Sequence, residues 1–517
     1  MYKEITTRIK PEDYADLHVF KKCIAQCCGM DPLRIVHIDV LKRSIDARQK
    51  TIYLNIKAGV HIDEIHKTAP IFVPEYKNVA DSRKSVIIVG AGPAGLFAAL
   101  RLIEGGIRPI LLERGKCVRE RLSDLSKLYK ERIVNPDSNF SFGEGGAGTF
   151  SDGKLYTRSK KRGDNRRILE ILVYHGASPQ ILVDSHPHVG TDKLPKVIEN
   201  IRNTILNCGG EIYFGHRVDS LLMKGKEIYG VRAAGKEFFA DQVILATGHS
   251  ARDTYRMLDR CGVTLERKDF AVGFRLEHPQ HEIDVIQYHR AEGRGQYLPA
   301  AEYSLVTNIK GRGVYSFCMC PGGVVVPATT CHGEQVVNGM SASKRNSPWA
   351  NSAIVTVVGK EELDHMGFHG LYAGMEFQEQ LESKAWQEGR ENLYAPAQRM
   401  PDFIKGKESV SLPRCSYKPG VTPSRIDFWF PDILSRRIRT ALIEFDRRHK
   451  GFISENAAIL GVESRTSSPL RIPRDGNSLC HIEIKGLYPC GEGAGYSGGI
   501  VSSAIDGEKC AENIFLM

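Results

Sequence analysis

The apolar positions of the first 75 residues predict three strands and one helix. The segments EITTRIK, RIVHIDVLKRSIDAR and TIYLNIKAGV are typical of strands, and DYADLHVFKKCIAQCCG lies between the first two. In that segment Leu17, Phe20, Ile24 and Cys27 recur near one face of a helix. The order strand, helix, strand, strand predicts a small ferredoxin-like α/β domain over residues 1–75.

The pattern changes after the polar segment 72–85, which contains Pro74 and which we interpret as a linker. The apolar run VIIV at 86–89 predicts a buried parallel strand, and an apolar face predicts a helix over about 94–104. RPILLE is then a second strand. This strand–helix–strand order is typical of a parallel α/β sheet.

Three glycines follow the first of these strands at the spacing G-x-G-x-x-G. Gly90 permits a tight turn, Gly92 lets a pyrophosphate approach the backbone, and Gly95 lets the helix pack closely on the strand. The helix N-terminus offers free N–H groups to phosphates, and Glu113 after the second strand can accept hydrogen bonds from ribose hydroxyls. The dinucleotide-binding residues predicted here are Gly90, Gly92, Pro93, Ala94, Gly95, Glu113 and Arg114. FAD and NAD both satisfy this pattern.

The C-terminal segment IEIKGLYPCGEGAGYSGGIVSSAIDGEKCAENI favours FAD. It is a strand, a glycine-rich turn and a helix, and it resembles the second flavin fingerprint of FAD-dependent oxidoreductases. That resemblance implies that Glu492, where the usual residue is Asp, binds the ribityl chain. It also places the helix N-terminus at the flavin pyrimidine, where it stabilises the negative charge of reduced flavin. The residues implied are Gly491, Glu492, Gly498, Gly499 and Ile500. The alternative is an ordinary glycine-capped helix.

Two further segments fit the same cofactor. FFADQVILATGH predicts a strand that ends in Thr247 and Gly248, and flavoproteins of this fold place such a turn against the cofactor. By the same resemblance, Val218 meets the adenine through its backbone.

The segment GEGGAGTFSDGKL, residues 143–155, is either a flexible linker or a stretch of backbone that a flat or charged ligand can approach closely. The linker interpretation fails because the flanking apolar residues Phe140, Phe142, Phe150 and Leu155 need burial. We therefore expect bare backbone against the isoalloxazine ring, with N–H groups in reach of flavin N5. The residues expected there are Gly145, Gly146, Ala147, Gly148 and Thr149. For Lys154 we favour a structural role, paired with a surface acid, over a position near the flavin.

Together these segments identify a family resemblance. VIIVGAGPAGLFAAL, FGEGGAGTFSDGKLYTR, GVESRTSSPLRI and YPCGEGAGYSGGIVSSAIDG resemble signatures of bacterial FAD-dependent dehydrogenases or oxidoreductases of poorly defined substrate. The resemblance covers about 80–517, and the N-terminal unit is similar to that family's small α/β domain. It implies an α/β fold of the glutathione-reductase-like type. A Rossmann-type FAD-binding domain with a three-layer parallel sheet then comprises 76–263 and 471–517, with an inserted α+β substrate domain at 264–470.

The inserted region contains apolar segments that predict antiparallel strands, followed by helices such as DILSRRIRTALIEFDRRH. A second G-x-G-x-x-G on a strand–helix frame is missing from its sequence, so NAD(P)H is expected only as a transient electron donor. In GVESRTSSPLRIPRD, Arg465, Ser467 and Ser468 are candidates for binding an anionic substrate, since arginine grips a carboxylate or phosphate with two N–H groups. The alternative is a loop whose arginines pair with local acids. The isolated residues His332, His365 and His369 are candidate proton donors, and no catalytic acid or base is assigned.

Bulk composition narrows the class of protein. Of the 517 residues, 42% are hydrophobic and 26% charged, as in globular proteins, and the net charge of +10 fits an anionic cofactor or substrate. The charged N-terminus and the lack of a long apolar run predict neither a secretory signal nor a membrane span. The thirteen cysteines lack paired zinc-site spacings, so we predict reduced thiols in a cytoplasmic protein and no metal site. The two groups that come nearest to such a spacing are Cys23, Cys27 and Cys28, and Cys318, Cys320, Cys331 and His332.

Three hypotheses about function remain. The first is an FAD-dependent oxidoreductase that binds FAD non-covalently and moves a hydride between flavin N5 and a small, anionic substrate. The second is an RNA-binding flavoprotein, such as a tRNA-modifying enzyme, that uses basic residues of the N-terminal unit on one face with exposed aromatics. The third is a non-enzymatic FAD-binding protein. The sequence predicts no oligomeric state.

Overall fold

The computed structural model describes residues 1–64, 72–156 and 163–515. Its N-terminal unit consists of β1 (Tyr2–Ile9), α1 (Pro11–Ala15), α2 (Leu17–Cys28), β2 (Ile35–Asp46) and β3 (Tyr53–Ile62). The strands form an antiparallel sheet in the order β1-β3-β2. Phe20, Ile24 and Ala25 of α2 are buried and cover this sheet, whereas Leu17, in the first turn, is exposed.

This unit has the order of the first four elements of the six-element ferredoxin-like order β-α-β-β-α-β. Residues 1–64 contain no second helix after β3 and no fourth strand. The predicted linker 72–85 is also more than a spacer. Phe72 and Tyr76 pack against the core of the following domain, and Val79 is buried and donates a backbone hydrogen bond to Cys208 O at 2.7 Å.

The remaining elements are given in chain order. Residues 72–263 contain β4 (Ser85–Val89), α3 (Pro93–Glu104), β5 (Arg108–Glu113), α4 (Val118–Glu131), α5 (Asn165–Tyr174), α6 (Leu194–Asn207), β6 (Glu211–Phe214), β7 (Val218–Lys224), β8 (Glu227–Ala233), β9 (Lys236–Phe239), β10 (Val243–Leu245) and α7 (Arg252–Arg260). The inserted region contains β11 (Glu266–Arg267), β12 (Phe270–Pro279), α8 (Gln280–Tyr288), β13 (Val306–Ile309), β14 (Arg312–Cys320), β15 (Gly323–Pro327), β16 (Val337–Ser341), β17 (Trp349–Val358), α9 (Lys360–His365), α10 (Ala373–Glu388), β18 (Ala395–Arg399), α11 (Met400–Lys405), β19 (Val421–Pro423), α12 (Ile426–Trp429), α13 (Asp432–Arg448) and β20 (Ala458–Glu463). The C-terminal part contains β21 (Leu470–Arg471), β22 (Leu487–Pro489) and α14 (Ile500–Phe515).

The predicted α/β fold class is confirmed by a five-stranded parallel sheet in the order β22-β10-β4-β5-β6. Successive side chains of β4 point to opposite faces of the sheet, as the two-residue period of a strand requires. Ile88 packs with α3 and α14, whereas Ile87 and Val89 pack with the antiparallel sheet β7-β8-β9 and with α7. The domain therefore has three layers, and one outer layer is mainly a small β-sheet.

The inserted region is built on a seven-stranded sheet in the order β13-β14-β17-β12-β20-β18-β19, in which only the pair β18 and β19 is parallel. Helices α8, α10, α11, α12 and α13 bury one face of it. The chain leaves the first domain through β11 and returns through β21, and these two strands pair antiparallel with Arg267 opposite Leu470. None of the described helices is both long and apolar enough to cross a membrane.

Candidate functional site

A cavity of about 1320 Å³ lies where the three parts of the chain meet. The parallel-sheet domain supplies the turns after β4, β10 and β22, together with Gly143 and Gly146–Gly148 of the glycine segment. The inserted region supplies 296–304 and 315–319, and the N-terminal unit supplies 43–45 of β2. The carboxyl ends of the parallel strands thus open into the cavity, which is where α/β sheets bind nucleotides.

The turn between β4 and α3 is shaped for close backbone approach. Gly90 has φ +105°, and a Cβ built there would lie 2.5 Å from the Ala246 carbonyl oxygen, so only glycine fits. Gly92 precedes α3 without any side-chain cap, and a Cβ there would meet nothing nearer than the Gly146 Cα at 3.9 Å. A Cβ on Gly95 would lie 2.0 Å from the Gly90 carbonyl oxygen, so this glycine serves helix–strand packing. The N-terminus of α3 therefore presents free N–H groups to an open gap.

Glu113 ties this turn to the glycine segment. Its carboxylate accepts backbone hydrogen bonds from Ala91 and Gly115 at 2.8 Å and from Gly143 at 3.1 Å. Among the described residues, Glu113 Oε2 accepts a hydrogen bond from Ala91 alone, so it keeps a lone pair for a further donor. Ribose contact at Glu113 stays a prediction, and the structure adds a scaffolding role that the sequence had not indicated.

The glycine segment lines the cavity with backbone that carries little or no side chain. Gly146, Ala147 and Gly148 line it, and the first and last of them bound a short 3-10 turn. Gly145 and Thr149 do not line it, contrary to the prediction. A Cβ on Gly145 would lie 2.0 Å from Thr149 Oγ1, and the buried Thr149 hydroxyl donates to the Glu144 carbonyl at 2.8 Å. Gly145 and Thr149 therefore fix the backbone conformation of the glycine segment without lining the cavity themselves.

The turns after β10 and β22 and the start of α14 also line the cavity. The Gly491 N–H donates to Asp506 at 2.8 Å, and Arg474 pairs with the same carboxylate at 2.6 Å, which fastens the turn to α14. Glu492 contacts His249 at 3.1 Å. Neither Asp506 nor His249 was predicted, because each acts through a partner that is distant in sequence.

Seventeen of the twenty predicted cofactor-binding residues line this one cavity. They are Gly90, Gly92, Pro93, Ala94, Glu113, Arg114, Gly146, Ala147, Gly148, Val218, Thr247, Gly248, Gly491, Glu492, Gly498, Gly499 and Ile500. The exceptions are Gly95, Gly145 and Thr149, which support the lining residues. Free helix N-termini, uncapped glycines and a buried carboxylate fit a dinucleotide with an anionic pyrophosphate and ribose hydroxyls.

The predicted substrate residues require correction. Arg465 borders the cavity, but its guanidinium pairs with Glu382 at 2.6 Å and with Glu334 at 2.7 Å. Burial alone raises the pKa of Glu382, yet Arg252 and Arg465 hold it below its ordinary value, so both charges of the pair are satisfied within the protein. Ser468 is buried, bonds to Tyr255 at 2.8 Å and does not line the cavity, and neither does Ser467.

The candidate proton donors were also misplaced. His332, His365 and His369 are exposed and do not line the cavity. A polar wall that the sequence did not reveal lies there instead. Its members are Asp152, Lys154, His186, His188, Glu302 and Arg345. They come from four separate stretches of the chain, and only Asp152 and Lys154 adjoin a motif.

The geometry of this wall leaves one cation without a hydrogen-bond acceptor among the described residues. Asp152 is buried and receives hydrogen bonds from Arg345 at 2.5 and 3.1 Å. Although burial raises the pKa of Asp152, Lys154 and Arg345 lower it below its usual range, so this carboxylate is ionised. Lys154 lies 3.8 Å from Asp152, and its buried Nζ has no hydrogen-bond acceptor among the described residues. The acid near Lys154 is thus a buried one, and the lysine faces the cavity.

A second pair on the same wall can carry a proton. His186 bonds to Glu302, and this hydrogen bond raises the pKa of the imidazole. His188 behaves oppositely, because burial lowers its pKa. His186 is therefore the imidazole of the wall that favours the protonated form.

Among the described residues, one group has metal-ligand geometry, namely Cys490, Asp506 and Cys510. Arg474 occupies that place, since its guanidinium bonds to Asp506 and lies 3.7 Å from Cys510 Sγ. A fixed positive charge there opposes a metal ion. Neither cysteine group singled out in the sequence forms such a cluster within the described residues.

Comparisons with family models cover most of the chain. Residues 269–466 match "FAD-dependent protein, C-terminal domain-like", residues 84–263 match "Pyridine nucleotide-disulphide oxidoreductase", and residues 1–61 match a domain of unknown function. An uncharacterized protein of Clostridium beijerinckii is 41% identical over 519 residues, which is 96% of each chain. A probable electron transfer flavoprotein-quinone oxidoreductase of Escherichia coli is 26% identical over 33% of this chain and 38% of its own.

Solved structures that match this chain include CtdE in complex with FAD, with 11% identity, a TM-score of 0.33 and coverage of 84% of both chains. The flavin-dependent brominase Bmp2 has 13% identity and a TM-score of 0.37, with coverage of 83% of this chain and 78% of its own. TM-scores this low carry no functional weight. The family models, the long relative and the cavity agree with one another. FAD is the cofactor, and the chain belongs to a bacterial family of FAD-dependent oxidoreductases whose substrate is uncharacterised.

Proposed function

We propose that this oxidoreductase moves a hydride between flavin N5 and a small molecule that carries an anionic group, bound in the cavity against the wall that contains Lys154. Bound FAD supplies the site that accepts or donates the hydride. The protein supplies the rest: backbone walls for the cofactor, a fixed charge for the substrate and a proton carrier.

The observation that carries the proposal is the Lys154 ammonium. Asp152 is already satisfied by two hydrogen bonds from Arg345, and the Glu302 carboxylate is matched by His186. The wall therefore holds one positive charge in excess, at a buried Nζ that lacks an acceptor among the described residues. A buried ammonium without a hydrogen-bond acceptor is costly, and a carboxylate or phosphate of the substrate would accept a hydrogen bond from it and neutralise the excess charge. This assigns to Lys154 the role first predicted for Arg465.

Proton transfer is assigned to His186. Its hydrogen bond with Glu302 favours the imidazolium, and both residues line the cavity. A protonated imidazole on the substrate side can give a proton to an oxygen or nitrogen that the hydride leaves basic, and its neutral form can take one in the opposite direction. The pair thus serves as the general acid or base of the proposed reaction.

The test is anion binding to the oxidised holoprotein, measured by the change in flavin absorbance during titration with acetate, succinate and inorganic phosphate. We expect Lys154→Met to weaken the tightest of these anions by about 10- to 100-fold, the worth of a hydrogen bond between charged groups. Lys154→Arg should retain most of the binding.

Lys193→Met, at an exposed lysine away from the cavity, is the matched control and should bind as the wild type does. Equal anion affinity in the Met variant and the wild type would contradict the proposal, and so would a wild type that binds none of the anions.

No observation favours the RNA-binding alternative. Five of the eleven lysine and arginine side chains in residues 1–64 pair with carboxylates. These ion pairs are Arg8 and Arg48 with Asp46, Arg34 with Asp63, Arg43 with Asp184, and Lys57 with Glu4. Arg43 in addition lines the cavity, which places this strand beside the proposed substrate site.

A further inference from the structure

The cavity has more room than a single ligand requires. Its volume of about 1320 Å³ exceeds the roughly 300–1,000 Å³ that is usual for the site of one ligand. The turns that fit the cofactor come from the parallel-sheet domain, whereas the inserted region lines the cavity with 296–304 and 315–319. The inserted region therefore borders the space that is left for a second ligand.

The inserted region presents aromatic rings to this space. Tyr315 and Phe317 are two positions apart on β14, so their side chains lie on the same face of the sheet. Both pack on buried alanine and valine side chains of β12 and β17, and helices cover the opposite face. Tyr297, from the segment between α8 and β13, lines the cavity with 51% of its surface exposed.

These three rings have no partner among the described residues. Tyr297, Tyr315 and Phe317 stack on no other aromatic ring there, and neither of the two tyrosine hydroxyl groups has a hydrogen-bond partner there. Tyr288 and Tyr303, which also line the cavity, differ because their hydroxyl groups bond to protein groups at 3.0 and 2.8 Å. The three rings thus offer apolar surface to a ligand in the cavity.

The aromatic rings are fixed relative to the polar wall. Leu305 and Ser316 exchange hydrogen bonds at 2.8 and 2.9 Å, which fasten the segment before β13 to β14. Glu302, in the same segment, belongs to the polar wall and lies 4.0 Å from Arg345. The rings are therefore continuous with the wall that contains Lys154.

The N-terminal unit contributes further apolar surface. Ile52, between β2 and β3, is completely buried in the core of the inserted region, which holds this hairpin at the cavity. Tyr14, Ile45 and Leu54 of the same unit line the cavity. Ile45 is 39% exposed although it is apolar, as is typical of a surface that a ligand covers.

We propose that the space bordered by Tyr297, Tyr315 and Phe317 is a subsite for a flat aromatic ring, so that the anionic substrate is an aromatic one. This inference rests on the proposed function and names the substrate class of the same site. Aromatic rings bind one another by offset stacking or edge-to-face contact, which adds to the burial of apolar area. Open aromatic faces beside a buried ammonium favour an aromatic anion over a small one such as acetate.

The test titrates the oxidised holoprotein with acetate, benzoate, cyclohexanecarboxylate and 2-naphthoate and follows the flavin absorbance. All four probes carry one carboxylate, so their affinities differ through the group that is attached to it. We expect 2-naphthoate to bind about 10- to 100-fold more tightly than acetate, because it buries more apolar area. Benzoate should bind about 2- to 10-fold more tightly than cyclohexanecarboxylate, which has as many carbon atoms and no aromatic ring.

Tyr297→Leu and Phe317→Leu keep an apolar side chain and remove the flat ring. Each should lower the ratio of the affinities for 2-naphthoate and acetate by about 3- to 10-fold, with FAD still bound. Because Tyr297 is half exposed, its replacement leaves the core of the inserted region intact. Phe428→Leu is the matched control, since Phe428 is 82% exposed and does not line the cavity, and it should keep the wild-type ratio.

Three results would overturn the inference. They are equal affinity for benzoate and cyclohexanecarboxylate, equal affinity for 2-naphthoate and acetate, and loss of FAD from both leucine variants, which would assign the rings to the flavin site. Lys154→Met separates this inference from the proposed function. If that variant binds every probe as the wild type does and still prefers benzoate to cyclohexanecarboxylate, the anion assignment fails and the aromatic subsite stands. Anion binding that depends on Lys154 without any preference for aromatic probes has the opposite meaning.

Discussion

Gly92→Val should abolish tight FAD binding and leave the fold intact. Gly92 has φ −75° and ψ −177°, which any residue adopts, and a Cβ there meets nothing closer than 3.9 Å. The added isopropyl group therefore clashes with no protein atom at the Cβ itself. It fills the gap between the start of α3 and Gly146, which is where the pyrophosphate must approach the backbone.

The magnitude follows from the hydrogen bonds that are lost. Displacing the phosphates from the helix N-terminus removes about two charge-assisted hydrogen bonds, worth about 1.5 to 3 kcal/mol each. FAD affinity should then fall by about 100-fold or more, because 1.4 kcal/mol corresponds to a factor of ten. Gly92→Ala, with a single methyl group, should show a smaller loss.

The assay is FAD content after purification, followed by a fluorescence titration of the apoprotein with FAD. Apoprotein melting temperature is measured alongside. Gly476→Val is the control, because a Cβ at that position meets no atom within 4 Å and Gly476 does not line the cavity. Wild-type FAD affinity in Gly92→Val would refute the assignment of the phosphate site.

Three further predictions follow from other parts of the structure. Without a second nucleotide-binding frame in the sequence, NAD(P)H should reduce the flavin slowly, and stopped-flow reduction that saturates at micromolar NADPH would contradict this. Arg465→Ala should lower the free energy of unfolding by about 3 kcal/mol, because it removes one partner of the buried Glu382, and should reduce flavin content with it. Unchanged stability with reduced turnover per flavin would instead return Arg465 to a substrate role. Burial raises the pKa of Glu277 to about 7 although Ser416 opposes it, so the folded state keeps a proton that the unfolded state loses above its ordinary pKa of 4.5. The free energy of unfolding should therefore fall by up to about 3 kcal/mol as pH rises from 4.5 to 7, and Glu277→Gln should lose this slope in urea titrations. An identical slope in that variant would exclude Glu277 as its source.

The cofactor side of the cavity was predictable because its requirements are local. The turn after β4 needs φ +105° at Gly90, and the N-terminus of α3 needs a position without a side chain at Gly92. Glycine meets both requirements, and both glycines stand at a fixed spacing from the strand. The neighbouring elements follow from the same segments, since apolar runs and helical periodicity mark β4 and α3. Glu113 is likewise found at the end of the next strand.

The substrate side was not predictable, because its contacts join distant segments. Arg465 had the composition of an anion-binding residue, yet its carboxylate partners Glu334 and Glu382 lie 131 and 83 residues away in sequence. The pairing of Asp152 with Arg345 spans 193 residues. Only the fold of the inserted sheet brings these groups together. The hydrophobic periodicity of the sequence does not predict which charged side chains the fold leaves without a partner.

The N-terminal unit was only partly predictable from the sequence. Its strand–helix–strand–strand order was readable from periodicity and is confirmed, but the ferredoxin-like prediction supposed a complete fold. The chain instead continues through Phe72 and Val79 onto the core of the next domain. Within the described residues, packing between domains thus stands in place of the second helix and the fourth strand.

The most direct test of the account is the position of the flavin ring in a crystal structure of the holoprotein grown with succinate or phosphate. We predict that the ring lies against Gly146–Gly148 with its pyrimidine end at the N-terminus of α14, and that an anion occupies the cavity within hydrogen-bond distance of Lys154 Nζ. A ring bound elsewhere, or an anion held by Arg465 while Lys154 contacts only protein atoms, would contradict it.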